Sequence, residues 1–144
     1  WQTAVVKSAV GIGALLMEGI GDTIRVSITA NSEKEIEVGR QILESIGAIQ
    51  RTGPQIVSCP GCGRCEVDLE KTVNELQAGL KNVKKNIDVA VLGCVVNGPG
   101  EAANADIGLA LSRGYGYIFK NGKQIRTLTN GSMVKELLEE IDKL

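Results

Sequence analysis

The sequence predicts a protein of the α/β (α+β) class that is built in two parts. Helix and strand periodicities alternate over the first 50 residues, a cysteine-rich loop then opens a second pattern, and a hairpin and an amphipathic helix complete it. The chain of 144 residues has room for one ordinary domain and a fragment, because domains most often contain about 100–150 residues. We expect the boundary in the polar connector at residues 51–54.

The first part is predicted to contain a helix, a strand and a second helix. Apolar residues at helical spacing predict a buried or half-buried helix over residues 5–20. Residues 24–28 alternate between apolar and polar side chains, which is typical of a strand. Ser32 and Glu35 form a capping-box pattern, and Gly47 ends the helix that follows. The inner face of this helix is predicted to consist of Ile36, Ile42, Leu43 and Ile46.

This alternation is typical of a βα-repeating fold with a parallel sheet, yet one strand cannot complete a sheet. The chain also begins at Trp1 without an initiator methionine. We therefore expect it to be a piece of a longer protein.

The second part is predicted to begin with a strand, a helix and a buried strand. Residues 55–57 form a short strand that leads into the cysteine loop, and Asp68 caps the helix. The apolar run at residues 88–93 predicts a buried strand that delivers Cys94 at its end. The apolar stripe of the helix consists of Leu69, Val73, Leu76 and Leu80.

A further strand, a hairpin and a helix follow. Residues 105–111 read as a strand, and residues 116–120 pair with residues 123–128 through the turn dipeptide Asn121-Gly122. The last helix is predicted to start near Ser132. Its apolar face consists of Val134, Leu137, Leu138, Ile141 and Leu144.

Composition and charge exclude several classes of partner. Hydrophobic residues make up 43% of the chain and charged residues 23%, so a packed core is expected. The net charge of −1 predicts no nucleic-acid or anionic-membrane partner. The longest apolar stretch, residues 9–17, is shorter than the ~18 residues of a membrane helix, and no signal-peptide cleavage site follows it. We expect a soluble, cytoplasmic protein.

The cysteines carry the chemistry. Histidine is absent, which excludes catalytic triads, Cys₂His₂ zinc sites and imidazole bases. Of the 4 cysteines, Cys59, Cys62 and Cys65 fall close together, which favours metal or redox use over core filling. The Cys-x-x-Cys spacing is shared by zinc sites, redox dithiols and iron–sulfur sites. A redox dithiol needs no further cysteine, whereas Cys65 and Cys94 are also available here. Structural zinc usually takes two paired ligand loops, whereas the second loop of this chain contains one cysteine.

A second loop favours an iron–sulfur site. Cys94 follows a buried strand, a Gly98-Pro99-Gly100 bend allows close backbone approach, and Glu101 offers a carboxylate. Backbone amides near such glycines can donate hydrogen bonds to cluster sulfides. Each feature alone is common in turns or cores, but both loops together predict a cluster site.

Four segments carry a specific resemblance. They are residues 6–13 (VKSAVGIG), 19–27 (GIGDTIRVS), 58–64 (SCPGCGR) and 93–102 (GCVVNGPGEA). In this order they resemble the (E)-4-hydroxy-3-methylbut-2-enyl diphosphate synthases of the non-mevalonate isoprenoid pathway. The resemblance covers essentially the whole chain.

The resemblance implies a [4Fe–4S] cluster as cofactor. Cys59, Cys62 and Cys94 would bind three irons and Glu101 the fourth, with Glu101 and Asn97 as catalytic residues. A carboxylate oxygen leaves iron more readily than a thiolate does, which suits the iron that must react. The activity implied is reductive ring opening and dehydroxylation of 2-C-methyl-D-erythritol 2,4-cyclodiphosphate to an allylic diphosphate. Reduced ferredoxin or flavodoxin would donate the two electrons.

The resemblance also implies the fold. Residues 1–52 would be the C-terminal remnant of a substrate-binding (β/α)₈ TIM barrel, and residues 53–144 a [4Fe–4S] domain like that of sulfite and nitrite reductases. Arg25 and Ser27 would bind the substrate diphosphate, with Lys7 and Ser8 as weaker candidates. The family forms head-to-tail homodimers. The 144 residues would contain only the end of this barrel, so we do not expect them to catalyse the reaction by themselves.

Cys65 departs from the family pattern, in which a non-thiol residue is common. It completes a Cys-x-x-Cys-x-x-Cys run like that of bacterial ferredoxins. An all-cysteine site of Cys59, Cys62, Cys65 and Cys94, and with it a ferredoxin-like electron carrier, therefore remains an alternative. A structural zinc module is the other.

Overall fold

The computed structural model describes residues 1–96, 100, 104–129 and 132–144. The chain forms two compact units, Trp1–Arg51 and Thr52–Leu144, which divide within the polar connector at residues 51–54. In the described residues, no helix has both the length and the apolar character needed to cross a membrane.

The first unit consists of α1 (Gln2–Met17), an extended segment and α2 (Ser32–Ser45). Val26 and Ile28 of the extended segment are buried, while Arg25 and Ser27 are exposed, as alternation requires. The prediction of a strand at residues 24–28 is nevertheless wrong, because no described segment pairs with it and a strand requires a neighbour's hydrogen bonds. The small core of this unit consists of Val26, Ile28, Val38 and Ile42.

The start of α2 differs from the predicted capping box by one residue. Asn31 is the N-cap, and its Oδ1 accepts the Lys34 N–H at 3.1 Å. Ser32 is already helical, and the Glu35 carboxylate accepts the Ile28 N–H at 3.0 Å instead of capping its own helix. Asparagine and serine cap helices about equally well, so the sequence alone did not distinguish these two positions. Gly47 follows the helix with φ +72°, as predicted.

The predicted helix α1 is confirmed, and it is partly buried, with Ile12 and Leu16 half-buried. Val6, Val10 and Met17 are more than 60% exposed, and Gly13 is the one buried residue of the helix. Ile36, predicted on the inner face of α2, is also exposed, and Val38 takes the buried position. Periodicity identifies a helix, but its burial depends on how many other elements are there to cover it.

Within its described residues, the second unit contains a five-stranded sheet in the order β1-β2-β3-β4-β5 and two α-helices. Its first three strands are parallel, and its last three are antiparallel. The helix α3 (Leu69–Gly79) connects β1 to β2 and continues into a short 3₁₀ turn, Leu80–Asn82, and α4 (Met133–Asp142) is the last element. The strands are β1 (Gln55–Ser58), β2 (Asp88–Leu92), β3 (Ile107–Ser112), β4 (Tyr115–Lys120) and β5 (Lys123–Thr129).

The elements predicted for this unit are confirmed with small shifts at their ends. Asp68 accepts the Lys71 N–H at the start of α3, and Ser132 accepts the Lys135 N–H at the start of α4. Asn121 and Gly122 have φ values of 49° and 74°, the left-handed pair that a type I′ hairpin turn requires.

The main core lies between one face of the sheet and the two helices. Every second residue of the central strands faces this core, in accordance with the two-residue period of a strand. Its fully buried members include Leu76, Val89, Val91, Ile107, Leu109, Ile118, Leu137 and Ile141. The opposite face carries a smaller cluster of Ala90, Leu92, Ala105, Ala110 and Phe119, against which Cys59, Val95 and Tyr117 pack.

Replacing Leu137 with alanine is expected to lower the free energy of unfolding by about 2–5 kcal/mol, because a fully buried leucine leaves a cavity that the core cannot close. Ile125→Ala is the control, since Ile125 is 46% exposed on β5, and its expected effect is about 0.5 kcal/mol or less. Urea denaturation measures both. Equal effects of the two substitutions would contradict the placement of this core.

Candidate functional site

Two of the four cysteines follow the ends of neighbouring parallel strands. Ser58 of β1 pairs with Val91 of β2. Because the strands are parallel, their carboxyl ends meet at one edge of the sheet, where Cys59 follows β1 and Cys94 follows β2 after one residue. The Cys59 N–H donates to the Val91 carbonyl at 3.2 Å and so extends the ladder. The sheet therefore delivers both thiols to the same edge.

Gly93 lies between the two cysteine-bearing segments. Its N–H donates to the Cys59 Sγ at 3.3 Å. A Cβ atom added at this glycine would collide with the Cys65 Sγ and would approach the Cys65 Cβ to 3.3 Å. A glycine is therefore required here for space, because only the absence of a side chain lets Cys65 lie against the backbone after β2.

The Cys loop, residues 59–68, joins β1 to α3. Gly61 has φ +78°, and the Cys65 N–H donates to the Cys62 carbonyl at 2.9 Å, which closes a tight turn. Cys62 is exposed at this turn, whereas Cys59, Cys65 and Cys94 are half-buried. All four thiols are free.

The hydrogen bonds of the thiols separate Cys65 from two of the predicted ligands. The Cys59 Sγ accepts the Gly93 N–H, and the Cys62 Sγ accepts the Arg64 N–H at 3.5 Å. Amide hydrogen bonds to the ligand sulfurs help to set the reduction potential of iron–sulfur sites. The Cys65 thiol instead donates to the Val67 carbonyl at 3.3 Å.

The donor set fits an iron–sulfur cluster by its chemistry, since thiolates are the usual protein ligands of such clusters. Cys59 and Cys94 share one edge, and the loop that carries Cys62 begins there. As placed, the described residues include no group of three or more Cys, Asp or Glu side chains close enough to hold a metal ion. Glu101 and Asn97, predicted as ligand and catalytic residues, lie outside the described residues.

Glu66, near the end of the Cys loop, was not singled out by the sequence. Its carboxylate accepts the Ser112 hydroxyl at 3.0 Å and the Arg113 N–H at 3.4 Å. These bonds, with that of Ser112 the stronger cause, lower the pKa of Glu66 below the ordinary value of 4.5. The stability that these hydrogen bonds contribute is fully present above the ordinary pKa of Glu66. It is lost as the pH falls through the lowered pKa of the folded chain. No local pattern marks this contact, because the partners are 46 residues apart.

The predicted substrate-binding residues lie in the first unit. Arg25 and Ser27 are exposed two positions apart on the extended segment, while Lys7 is exposed and Ser8 half-buried on α1. An open cavity of about 370 Å³ is lined by Arg25 together with Ile24, Val26, Ser32, Glu35, Ile36, Gly39, Arg40 and Leu43. The structure thus places Arg25 at a cavity, and Ser27, Lys7 and Ser8 outside its lining.

Both units match domains of one protein family. Residues 1–40 match the GcpE TIM-barrel domain, and residues 55–143 match the GcpE protein C-terminal domain. These two matches follow the division of the chain into its two compact units.

Relatives with high identity carry one name, 4-hydroxy-3-methylbut-2-en-1-yl diphosphate synthase (flavodoxin). The protein of Clostridium acetobutylicum is 51% identical over 144 residues, which is 100% of this chain and 41% of the relative. That of Aquifex aeolicus is 53% identical over 140 residues, 97% of this chain and 39% of the relative. That of Salinispora arenicola is 56% identical over 135 residues, 94% of this chain and 34% of the relative.

The chain spans about two fifths of the length of the curated relatives it matches. The resemblance found in the four sequence segments is thereby confirmed over the whole chain, and with it the mixed α/β class. Since a family domain covers most of the chain and the identity is about one half throughout, the chain belongs to the GcpE family.

Proposed function

We propose that residues 53–144 are the [4Fe–4S] domain of a 4-hydroxy-3-methylbut-2-enyl diphosphate synthase. In this proposal Cys59, Cys62, Cys94 and Glu101 hold the cluster. The supporting observation is the shared edge at which Cys59 follows β1 and Cys94 follows β2, with the Gly93 N–H bonded to the Cys59 Sγ. The proposal also gives the domain the fold of the cluster domains of sulfite and nitrite reductases.

The proposed reaction is the two-electron reductive ring opening and dehydroxylation of 2-C-methyl-D-erythritol 2,4-cyclodiphosphate. When bound, a [4Fe–4S] cluster would supply these electrons one at a time. The relatives are named as synthases of the corresponding allylic diphosphate, and their names specify flavodoxin. We accordingly propose reduced flavodoxin as the electron donor, in preference to ferredoxin.

The remaining proposed roles fall on side chains of this chain. The exposed Arg25 guanidinium and Ser27 hydroxyl are of the type that binds phosphate oxygens, with Lys7 and Ser8 in support. Glu101 supplies an exchangeable oxygen ligand, and Asn97 is the second proposed catalytic residue. We further propose that the full-length protein forms a head-to-tail homodimer, in which one subunit's cluster domain meets the other's barrel.

Iron and sulfide analysis of the anaerobically prepared chain tests this function. The expected result is about four irons and four acid-labile sulfides per chain, with the visible absorption of a cluster. One zinc per chain without sulfide would contradict the proposal and favour the structural zinc module. A change of the cluster spectrum on adding the cyclic diphosphate would separate the enzyme from an electron carrier.

Replacement of Glu101 provides a second prediction. If a carboxylate oxygen holds one iron, the Mössbauer spectrum of the wild-type cluster should contain one iron site distinct from three thiolate-bound sites. Glu101→Ala should alter that site alone, and acidic pH should weaken the same ligand first, since a carboxylate must be ionised to coordinate. Four equivalent iron sites in the wild-type chain would favour the all-cysteine alternative, in which Cys65 completes the set.

A further inference from the structure

Glu66 links the Cys loop, which follows β1, to the end of β3, a strand that is not a neighbour of β1. Its carboxylate bonds to Ser112, the last residue of β3, and to the N–H of Arg113 in the turn after it. The Cys loop to which Glu66 belongs starts at β1, and β2 lies between β1 and β3 in the sheet. The loop must therefore pass over the carboxyl end of β2 to reach this bond.

The contacts beneath the loop agree with this path. Cys65, the neighbour of Glu66, has its Sγ against Gly93, the residue directly after β2. At the other end of the loop, the Cys59 Sγ accepts the Gly93 N–H, and the Cys59 N–H donates to Val91. The loop is thus attached to the end of β2 near both of its ends and to β3 through Glu66.

We propose that Glu66 is a positioning residue that fastens the Cys loop across the end of β2, so that the exposed Cys62 is held at the edge where Cys94 emerges. This inference rests on the proposed function, because it takes these thiols as cluster ligands. Side chains that orient metal ligands without touching the metal typically change metal affinity by about 10–100-fold when they are removed.

The exposure of Glu66 separates this role from a general structural one. Hydrogen bonds of an exposed carboxylate compete with water and contribute little to global stability. Loss of the fastening should therefore increase motion of the loop and release of iron while leaving the melting temperature of the chain nearly unchanged.

The test compares Glu66→Ala, Glu66→Gln and Ser112→Ala with Glu139→Ala, a matched control for an exposed carboxylate on α4. Each whole chain is loaded with iron and sulfide anaerobically, and a ferrous chelator then extracts the iron. We expect Glu66→Ala to lose iron about tenfold faster than wild type or more. Glu66→Gln should be intermediate, because its amide oxygen still accepts the serine hydroxyl, and the Glu139 variant should match wild type.

Hydrogen exchange of the cluster-free chains provides the second readout. Glu66→Ala should accelerate exchange in residues 60–68, with the melting temperature within error of that of Glu139→Ala. Iron loss at the wild-type rate, or faster loss accompanied by an equivalent fall in melting temperature, would overturn the positioning role. If the wild-type chain takes up no iron, the proposed function fails. Hydrogen exchange alone then decides whether Glu66 fastens the loop. An exchange rate in residues 60–68 of Glu66→Ala equal to that of wild type would overturn this role.

Discussion

Alanine at Cys59, Cys62 or Cys94 is expected to abolish cluster binding, whereas Cys65→Ala is expected to retain it. The first three thiols are the proposed iron ligands, and two of their sulfurs already accept backbone N–H bonds. The Cys65 thiol instead donates to the Val67 carbonyl. Iron and sulfide content, with the EPR spectrum of the reduced chain, measures all four variants.

Cys65→Ala is the internal control of this series, because it removes a half-buried thiol from the same loop. Loss of the cluster in this variant, combined with an unchanged spectrum in Glu101→Ala, would contradict the proposed ligand set. That pair of results would identify the protein as an all-cysteine electron carrier. Serine replacements should follow the alanine ones, since a neutral hydroxyl is a poor ligand for iron in a cluster.

Gly93→Ala is expected to reduce cluster assembly severely, because the new methyl group would occupy the space of the Cys65 Sγ. The methyl would be attached to backbone at the end of β2, so the Cys65 side chain, or the Cys loop that carries it, must move. Gly63→Ala is the matched control, since a Cβ atom there meets nothing within 4 Å and the backbone is not left-handed. Iron content after anaerobic reconstitution is the measurement.

A second substitution distinguishes this collision from a general loss of folding. The double variant Gly93→Ala with Cys65→Ala lacks the Sγ atom. The closest contact between the two positions is then that of their Cβ atoms at 3.3 Å, which a small shift can relieve. The double variant should therefore recover much of the iron that the single variant loses. A double variant as poor as Gly93→Ala alone would show that Cys65 is not the group displaced.

The predictable part of the fold was the part determined by neighbouring residues. The hairpin turn at Asn121-Gly122, the Asp68 cap, the helix start near Ser132, and the buried strand before Cys94 were each expected from local pattern and found. Residues 24–28 failed as a strand even though their burial alternates, because a strand also needs a hydrogen-bonding neighbour. The pattern of α1 left open whether the helix is buried or half-buried for a related reason, since apolar composition does not say what covers it.

The candidate site also has a part that the sequence predicted and a part that it could not predict. The two cysteine-bearing loops predicted a cluster site, and the resemblance to the family implied Cys59, Cys62 and Cys94 as its ligands. The parallel pairing of β1 and β2 delivers Cys59 and Cys94 to one edge. Glu66 and the requirement for glycine at position 93 depend on contacts between segments far apart in sequence. No periodicity or motif within a segment could reveal those contacts.

The strand order of the second unit has a consequence for how the protein folds. Each strand pairs with the strand that follows it along the chain, so no segment must wait for a distant one to complete the sheet. Chains whose contacts join segments close in sequence fold faster than chains of comparable size with distant pairings. The part of the edge that bears Cys59 and Cys94 requires only the pairing of β1 with β2 around α3, whereas the bond from Glu66 to Ser112 also requires β3. During synthesis, this edge can therefore form while the hairpin of β4 and β5 is still emerging from the ribosome.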